Sequence, residues 1–119
     1  MKTLTLPLKK KWFDMIKSGE KKEEYREIKP HYIGLLFDRR EMLDCMGLCS
    51  AAAFEEKQWP KPMMFVKHFD TLVFTLGYPK AGDNERRLTF KNPRIRIGTG
   101  RTEWGAEPGK QYFVITWEA

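Results

Sequence analysis

The chain has almost no thiol chemistry: Cys45 and Cys49 are its only cysteines in 119 residues. They cannot build the multi-bridge framework that holds small secreted domains together. Long apolar runs are missing too, and no segment has the length of a membrane-crossing helix. The first residues, Met1 to Leu8, give way to Lys9-Lys10-Lys11 before a signal-peptide core develops. Internal repeats and linker-like stretches are absent as well. These absences point away from a disulfide scaffold, a membrane protein and a solenoid. The expectation is one domain over residues 1–119, working in the cytoplasm, without cofactor or metal.

What is present suits a folded domain with a heavily charged surface. Hydrophobic residues make up 41%, aromatic residues 13% and charged residues 32%. A chain of this size buries enough surface to fold without covalent staples. The net charge of +6 is unevenly spread. Residues 1–40 hold 11 basic and 6 acidic groups, residues 41–79 hold 3 and 5, and residues 80–119 hold 8 and 5. Ends that meet in the fold make one basic face, the footprint of a polyanion-binding protein. A generally soluble basic surface is the plainer alternative.

Periodicity predicts an α+β fold. Lys2 to Leu6 alternates, with Leu4 and Leu6 on one face, and reads as a first strand. Pro7 suits the opening turn of a helix in which Leu8, Trp12, Met15 and Ile16 recur at helical spacing. Ser18-Gly19 ends that helix. Glu23 to Ile28 reads as a second strand, with Glu24, Arg26 and Ile28 on one face, and Pro30 breaks it. His31 to Phe37 forms a further helical turn or two. Residues 38–62, with Met42, Leu43, Met46, Cys49 and Phe54, read as a helical insertion.

The remainder is predicted as β structure. Phe69 to Gly77 is a strand covered on both faces, and Arg87 to Lys91 is its hairpin partner. Arg94 to Ile97 alternates until Gly98-Thr99-Gly100 breaks it, and Gln111 to Trp117 closes the fold. Several strands with one early helix suggest a small barrel, because closure removes exposed edges.

Three places carry candidate chemistry. Lys9, Lys10 and Lys11 fall in the first turn of the predicted helix, where the dipole disfavours positive charge. Free backbone N–H groups with several lysines make a seat for phosphate. The same lysines also serve simply to extend into water. The densest polar constellation is Gly19-Glu20-Lys21-Lys22-Glu23-Glu24-Tyr25-Arg26. Glycine frees the backbone to leave the helix, Lys21 lands at the corner, and Glu24 and Arg26 share a strand face. There they either hold a polar ligand or brace each other as a buried pair. Aromatics beside basic residues are the third cue: Tyr25, Trp104 and Tyr32 are candidates to stack a base. Trp12, Phe74, Phe113 and Trp117 are assigned to the core, and Arg94, Arg96 and Arg101 supply phosphate-binding charge.

Two weaker patterns lead elsewhere. Gly98-x-Gly100 lacks the third glycine and helix of a dinucleotide site and reads as a turn. Cys45 and Cys49 with His31 or His68 have loose spacing for zinc, and unpaired cysteines are the expected outcome.

The pattern Gly19-x-Lys21-x-x-Glu24-x-Arg26, preceded by the helix Lys11 to Ile16, closely resembles the signature of the ASCH family of the PUA-like superfamily. Glu103-Trp104-Gly105-Ala106 with the strand Tyr112 to Trp117 is similar to small phage-associated and bacterial members. The resemblance spans the chain on both sides of residues 38–65, which match only as a variable insertion. It implies a small β-barrel, a helix closing one side, and a cleft beside the motif that binds RNA or a nucleotide. One branch of the family removes the acyl group of N4-acetylcytidine with a lysine, a threonine and a glutamate. Lys21 matches the lysine, but Glu24 stands where that threonine belongs, and no serine or threonine lies between Gly19 and Arg26.

The expected function is therefore binding of RNA, a nucleotide or a nucleoside by Lys9, Lys11, Lys21, Tyr25, Arg26, Arg101 and Trp104. The alternative is an amidohydrolase on a modified nucleoside in which Lys21 and Glu24 transfer protons and water is the nucleophile. A further alternative is an adaptor that meets a protein partner through residues 38–62.

Overall fold

The computed structural model describes residues 2–37 and 66–118. The fold is α+β, a five-stranded mixed sheet with two helices. In chain order these are β1 (Thr3–Leu8), α1 (Lys10–Lys17), β2 (Glu24–Arg26), α2 (Pro30–Leu36), β3 (Thr71–Leu76), β4 (Arg87–Thr99) and β5 (Gln111–Glu118). Short 3₁₀ turns at Asn84–Arg86 and Thr102–Trp104 precede β4 and follow it. The strand order is β1-β3-β4-β5-β2, with β1 and β3 parallel and the other pairs antiparallel. No helix among the described residues is long and apolar enough to cross a membrane.

The alternation read in the first strand holds, since Leu4, Leu6 and Leu8 are buried and Thr3, Thr5 and Pro7 are exposed. Pro7, however, belongs to β1 rather than to the helix. β1 is an edge strand, the position where a missing N–H costs no ladder bond. The helix starts at Lys10, with Lys9 as an N-cap that makes no side-chain cap. Its buried residues are Phe13 and Ile16, so Phe13 takes the core position assigned to Trp12. The helix ends as expected, with Ser18 at the cap and Gly19 at φ 85°, a backbone region that favours glycine.

The main core lies between the helices and one face of the sheet, where Phe13, Ile16, Ile33 and Leu36 meet Leu4, Leu6, Leu72, Phe74, Phe113 and Ile115. Aromatic edges lock it: Phe37 meets Phe113 at 5.6 Å and Phe74 meets Trp117 at 5.0 Å between centroids. The apolar run of β5 is explained by cover on both faces. Phe113 and Ile115 point into this core, while Tyr112 and Val114 pack with Tyr25 and Ala106 on the other side.

β4 runs unbroken over the two segments read as separate strands. Between Lys91 and Arg94 the register shifts, and Asn92 takes φ 49°. This bulge bends the strand without ending it. Gly98 also lies inside β4, paired with Tyr112, rather than in a turn.

β1 and β2 are the two edges, and no ladder joins them among the described residues. The sheet is open, not a hydrogen-bonded barrel, because β2 offers only three residues and those pair with β5. Phe37 and Val66 form an antiparallel bridge, and the Lys67 N–H donates to the Leu36 carbonyl at 2.8 Å. The expected insertion at 38–62, including Cys45 and Cys49, lies outside the described residues.

Candidate functional site

The turn after α1 brings the chain straight into β2. The Lys21 N–H donates to the Met15 carbonyl at 3.0 Å, which folds the lysine back under the helix. Its side chain is fully buried, and its ammonium donates to Glu24 Oε1. The Trp12 and Tyr25 rings lie 5.3 and 5.5 Å from Lys21 Nζ. Burial holds the Lys21 ammonium below the ordinary lysine range, and the Glu24 carboxylate opposes that shift.

Glu24 is the hub. Its Oε1 also accepts the Tyr25 N–H at 3.2 Å, and its Oε2 accepts Arg26 Nη1 at 2.7 Å. One carboxylate thus lies between two cations, as strand alternation allows for Glu24 and Arg26. Arg26 Nη1 also donates to the Tyr25 carbonyl at 3.3 Å, and Nη2 donates to the Pro7 carbonyl at 2.8 Å. Arg26 Nε is buried without a hydrogen-bond partner among the described residues.

Beside this triad lies a half-open cleft of about 400 Å³. Trp12, Tyr25, Tyr32, Trp104 and Tyr112 give it aromatic walls, and Lys9, Glu24, Arg26, Glu27, Glu107 and Lys110 supply its charges. Cations and carboxylates balance along this lining, so the expected basic character is not found there. At one end Lys110 lies 3.5 Å from Glu27 and 4.0 Å from Glu107. A hydrogen bond from Lys29, with the charge of Lys110, keeps the Glu27 carboxyl below its usual range.

The sequence candidates divide among several places. Lys9, Glu24, Tyr25, Arg26, Trp104 and Tyr32 line the cleft. Lys21 sits behind the wall, against Glu24, and is not among the residues that line the cleft. Lys11 is exposed with its ammonium 4.7 Å from the Trp12 ring, and Arg101 is exposed over Trp104 at 5.0 Å. Neither lines the cleft. Tyr25 is a buried wall rather than a free stacking platform. Its hydroxyl donates to Glu23 Oε1 at 2.8 Å and accepts the Arg101 N–H at 3.0 Å. Burial, reinforced by Glu23, pushes this phenol up to about 12.

Trp12, Glu27, Glu107, Lys110 and Tyr112 were not legible as cleft residues. Trp12 faces the cleft because its neighbour Phe13 fills the core. The loop after β4 then closes on it: a Cβ at Gly105, φ 101°, would lie 2.9 Å from the indole. Nothing local in the sequence announces that contact. His31 packs edge-on against Tyr32, and His68 lies 3.4 Å from Asp70. No cluster of three metal-binding side chains occurs among the described residues. No family model matches this chain, and neither does a curated protein or a solved structure.

Proposed function

We propose that the chain is an ASCH-type, PUA-like domain that binds one nucleoside unit, free or within single-stranded RNA, in the cleft beside the Gly19–Arg26 segment. The observation that carries this reading is the pairing of aromatic walls with fixed charges in a cleft of about 400 Å³. That volume is at the small end of ligand pockets, suited to one base and sugar and too small for a duplex. Bases that leave their stack are recognised by aromatic faces and by hydrogen bonds to their edges. Trp104 and Tyr32 supply faces; Arg26 and Glu24 supply a donor and an acceptor. The PUA-like reading is supported by the motif and by the Arg26 bridge between the sheet edges.

Titration with the four ribonucleoside 5′-monophosphates, followed by tryptophan fluorescence, tests it, because Trp12 and Trp104 both line the cleft. Saturable quenching is expected, with Trp104→Ala weakening affinity by about tenfold, the scale of one base–aromatic stack. Absence of saturable binding for all four, or binding indifferent to Trp104→Ala, sinks the proposal.

A second reading has its own supporting observation: Glu24 faces the cleft while the buried Lys21 ammonium stands behind it with a lowered pKa. Glu24 then takes a proton from a water that attacks the carbonyl carbon of an N4-acyl group on cytidine, and returns it to N4 as the N4–acyl bond breaks, releasing cytidine and the carboxylic acid. Lys21 holds the Glu24 carboxylate in place through its hydrogen bond to Oε1. Release of acetate from N4-acetylcytidine, abolished by Glu24→Gln, is the expected result. No turnover by the unaltered protein removes this reading.

A further inference from the structure

The cleft reading leaves the arginines of β4 unused. Arg94 and Arg96 project from the face opposite the main core, since they pair with Thr116 and Val114 and Val114 packs with Tyr25 and Tyr112. Both are exposed. Two residues further along the same face is Gly98, opposite the cleft residue Tyr112. Strand rise puts Arg94 and Arg96 about 6–7 Å apart, with Arg94 about 13 Å from Gly98. The spacing of the two arginines is close to that of adjacent phosphates in an extended single strand.

The Arg94 side chain makes no hydrogen bond or ion pair among the described residues, leaving its guanidinium free for a ligand. Arg96 Nη2 is held at 3.0 Å from Glu23 Oε2, and Glu23 in turn accepts the Tyr25 hydroxyl. This anchor orients Arg96 along the face and leaves its side chain 54% exposed. Arg101, stacked on Trp104 at 5.0 Å and 3.8 Å from Glu103, stands at the cleft end of the same surface. The carboxylates nearby are Glu23 and Glu103, each already facing an arginine, and Glu118, which shares a cleft lining with Arg94 and accepts the Asn92 side-chain amide at 2.9 Å.

We infer that Arg96 and Arg94 form a phosphate track leading away from the cleft, which makes the natural ligand a single-stranded oligonucleotide rather than a free nucleotide. The inference rests on the cleft reading for its starting point. A base held against Trp104 in the cleft is followed by a backbone that runs past Arg96 to Arg94. Open arginine side chains on a strand face contact phosphates without reading bases, so the track adds affinity and salt dependence, not sequence choice.

Comparing ribonucleoside 5′-monophosphates with homohexaribonucleotides across a salt series separates the two levels. Hexamers are expected to bind at least about tenfold tighter than monomers. Arg94→Ala with Arg96→Ala should flatten the hexamer salt slope by about 1.4, at roughly 0.7 per single-strand phosphate contact. Monomer affinity should not change. Arg94→Ala alone touches no internal contact, so it tests the track without disturbing the fold. It should remove about half of that slope change. Hexamers that bind no tighter than monomers, or a slope indifferent to Arg94→Ala, overturn the track while leaving the cleft intact. Hexamer binding that depends on Arg94 without any monomer binding overturns the cleft reading and keeps the track.

Discussion

Arg26, on one edge strand of the sheet, donates from Nη2 to the carbonyl of Pro7 on the opposite edge at 2.8 Å. A side chain, not a ladder, ties the two edges together. The same guanidinium neutralises Glu24 through Nη1, with only 14% of its side chain exposed. Arg26→Ala therefore leaves a buried carboxylate short of one partner and an edge carbonyl unpaired. The expected loss is about 3 kcal/mol, the lower end for a broken buried pair. Arg26→Lys should recover only part of it, because an ammonium lacks the planar fork that reaches both oxygens. Urea unfolding midpoints of the two variants measure this; equal stability of Arg26→Ala and the unaltered protein would rule out the brace.

Lys21 makes a prediction with a definite sign. Its folded pKa lies below the ordinary 10.5, so between that folded value and 10.5 the unfolded chain binds more protons. Stability attributable to Lys21 is lowest at acidic and neutral pH and rises as pH climbs through this window. The stability of the unaltered protein relative to Lys21→Met should therefore increase toward pH 10.5. Parallel pH profiles for the two proteins would show that the ammonium carries no burial penalty.

Tyr25 shifts the other way. Its phenol moves from 10.0 to about 12 on folding, so the folded state holds the proton more firmly. The contribution is fully present below pH 10 and is lost as pH rises from 10 to about 12. Tyr25→Phe should abolish that alkaline loss. At neutral pH the variant should cost about 2 kcal/mol, from its two lost hydrogen bonds. Chemical denaturation at pH 8 and pH 11 distinguishes the outcomes, and an undiminished alkaline loss in Tyr25→Phe would place its origin elsewhere.

Gly100 and Gly98 offer a matched pair. A Cβ at Gly100 would lie 2.6 Å from the Tyr25 ring and 2.8 Å from the Ala106 Cβ, both packed in the small outer cluster. At Gly98 it would meet only the movable end of Arg96. Gly100→Ala is expected to cost about 1–3 kcal/mol as overpacking and to alter Trp104 fluorescence. Gly98→Ala should stay within about 0.5 kcal/mol. Thermal melts of both variants provide the check, and a harmless Gly100→Ala would mean that the loop gives way freely.

Local sequence was sufficient for much of this design. Alternation buried Leu4, Leu6 and Leu8, and Gly19 stopped α1. The two-residue period of a strand put Glu24 and Arg26 on one side, where they meet. Periodicity states which side of an element is apolar and which residues are neighbours along it. It is silent about what lies opposite. Pro7 was misread for that reason: a proline opening a helix and a proline on an edge strand look alike until the sheet order is known.

The site shows the same division. The Gly19–Arg26 segment carried its own location, because glycine, lysine, glutamate and arginine stand within one helix-to-strand corner. Only the tertiary structure placed Lys21 behind the wall and turned Trp12 outward when Phe13 and Ile16 filled the core. It also brought Lys110 to Glu27, the loop glycine Gly105 to Trp12, and Arg26 to Pro7. Each of those contacts joins residues far apart in the chain. Their geometry is set by the strand order and by how the core packs, and no local pattern encodes that.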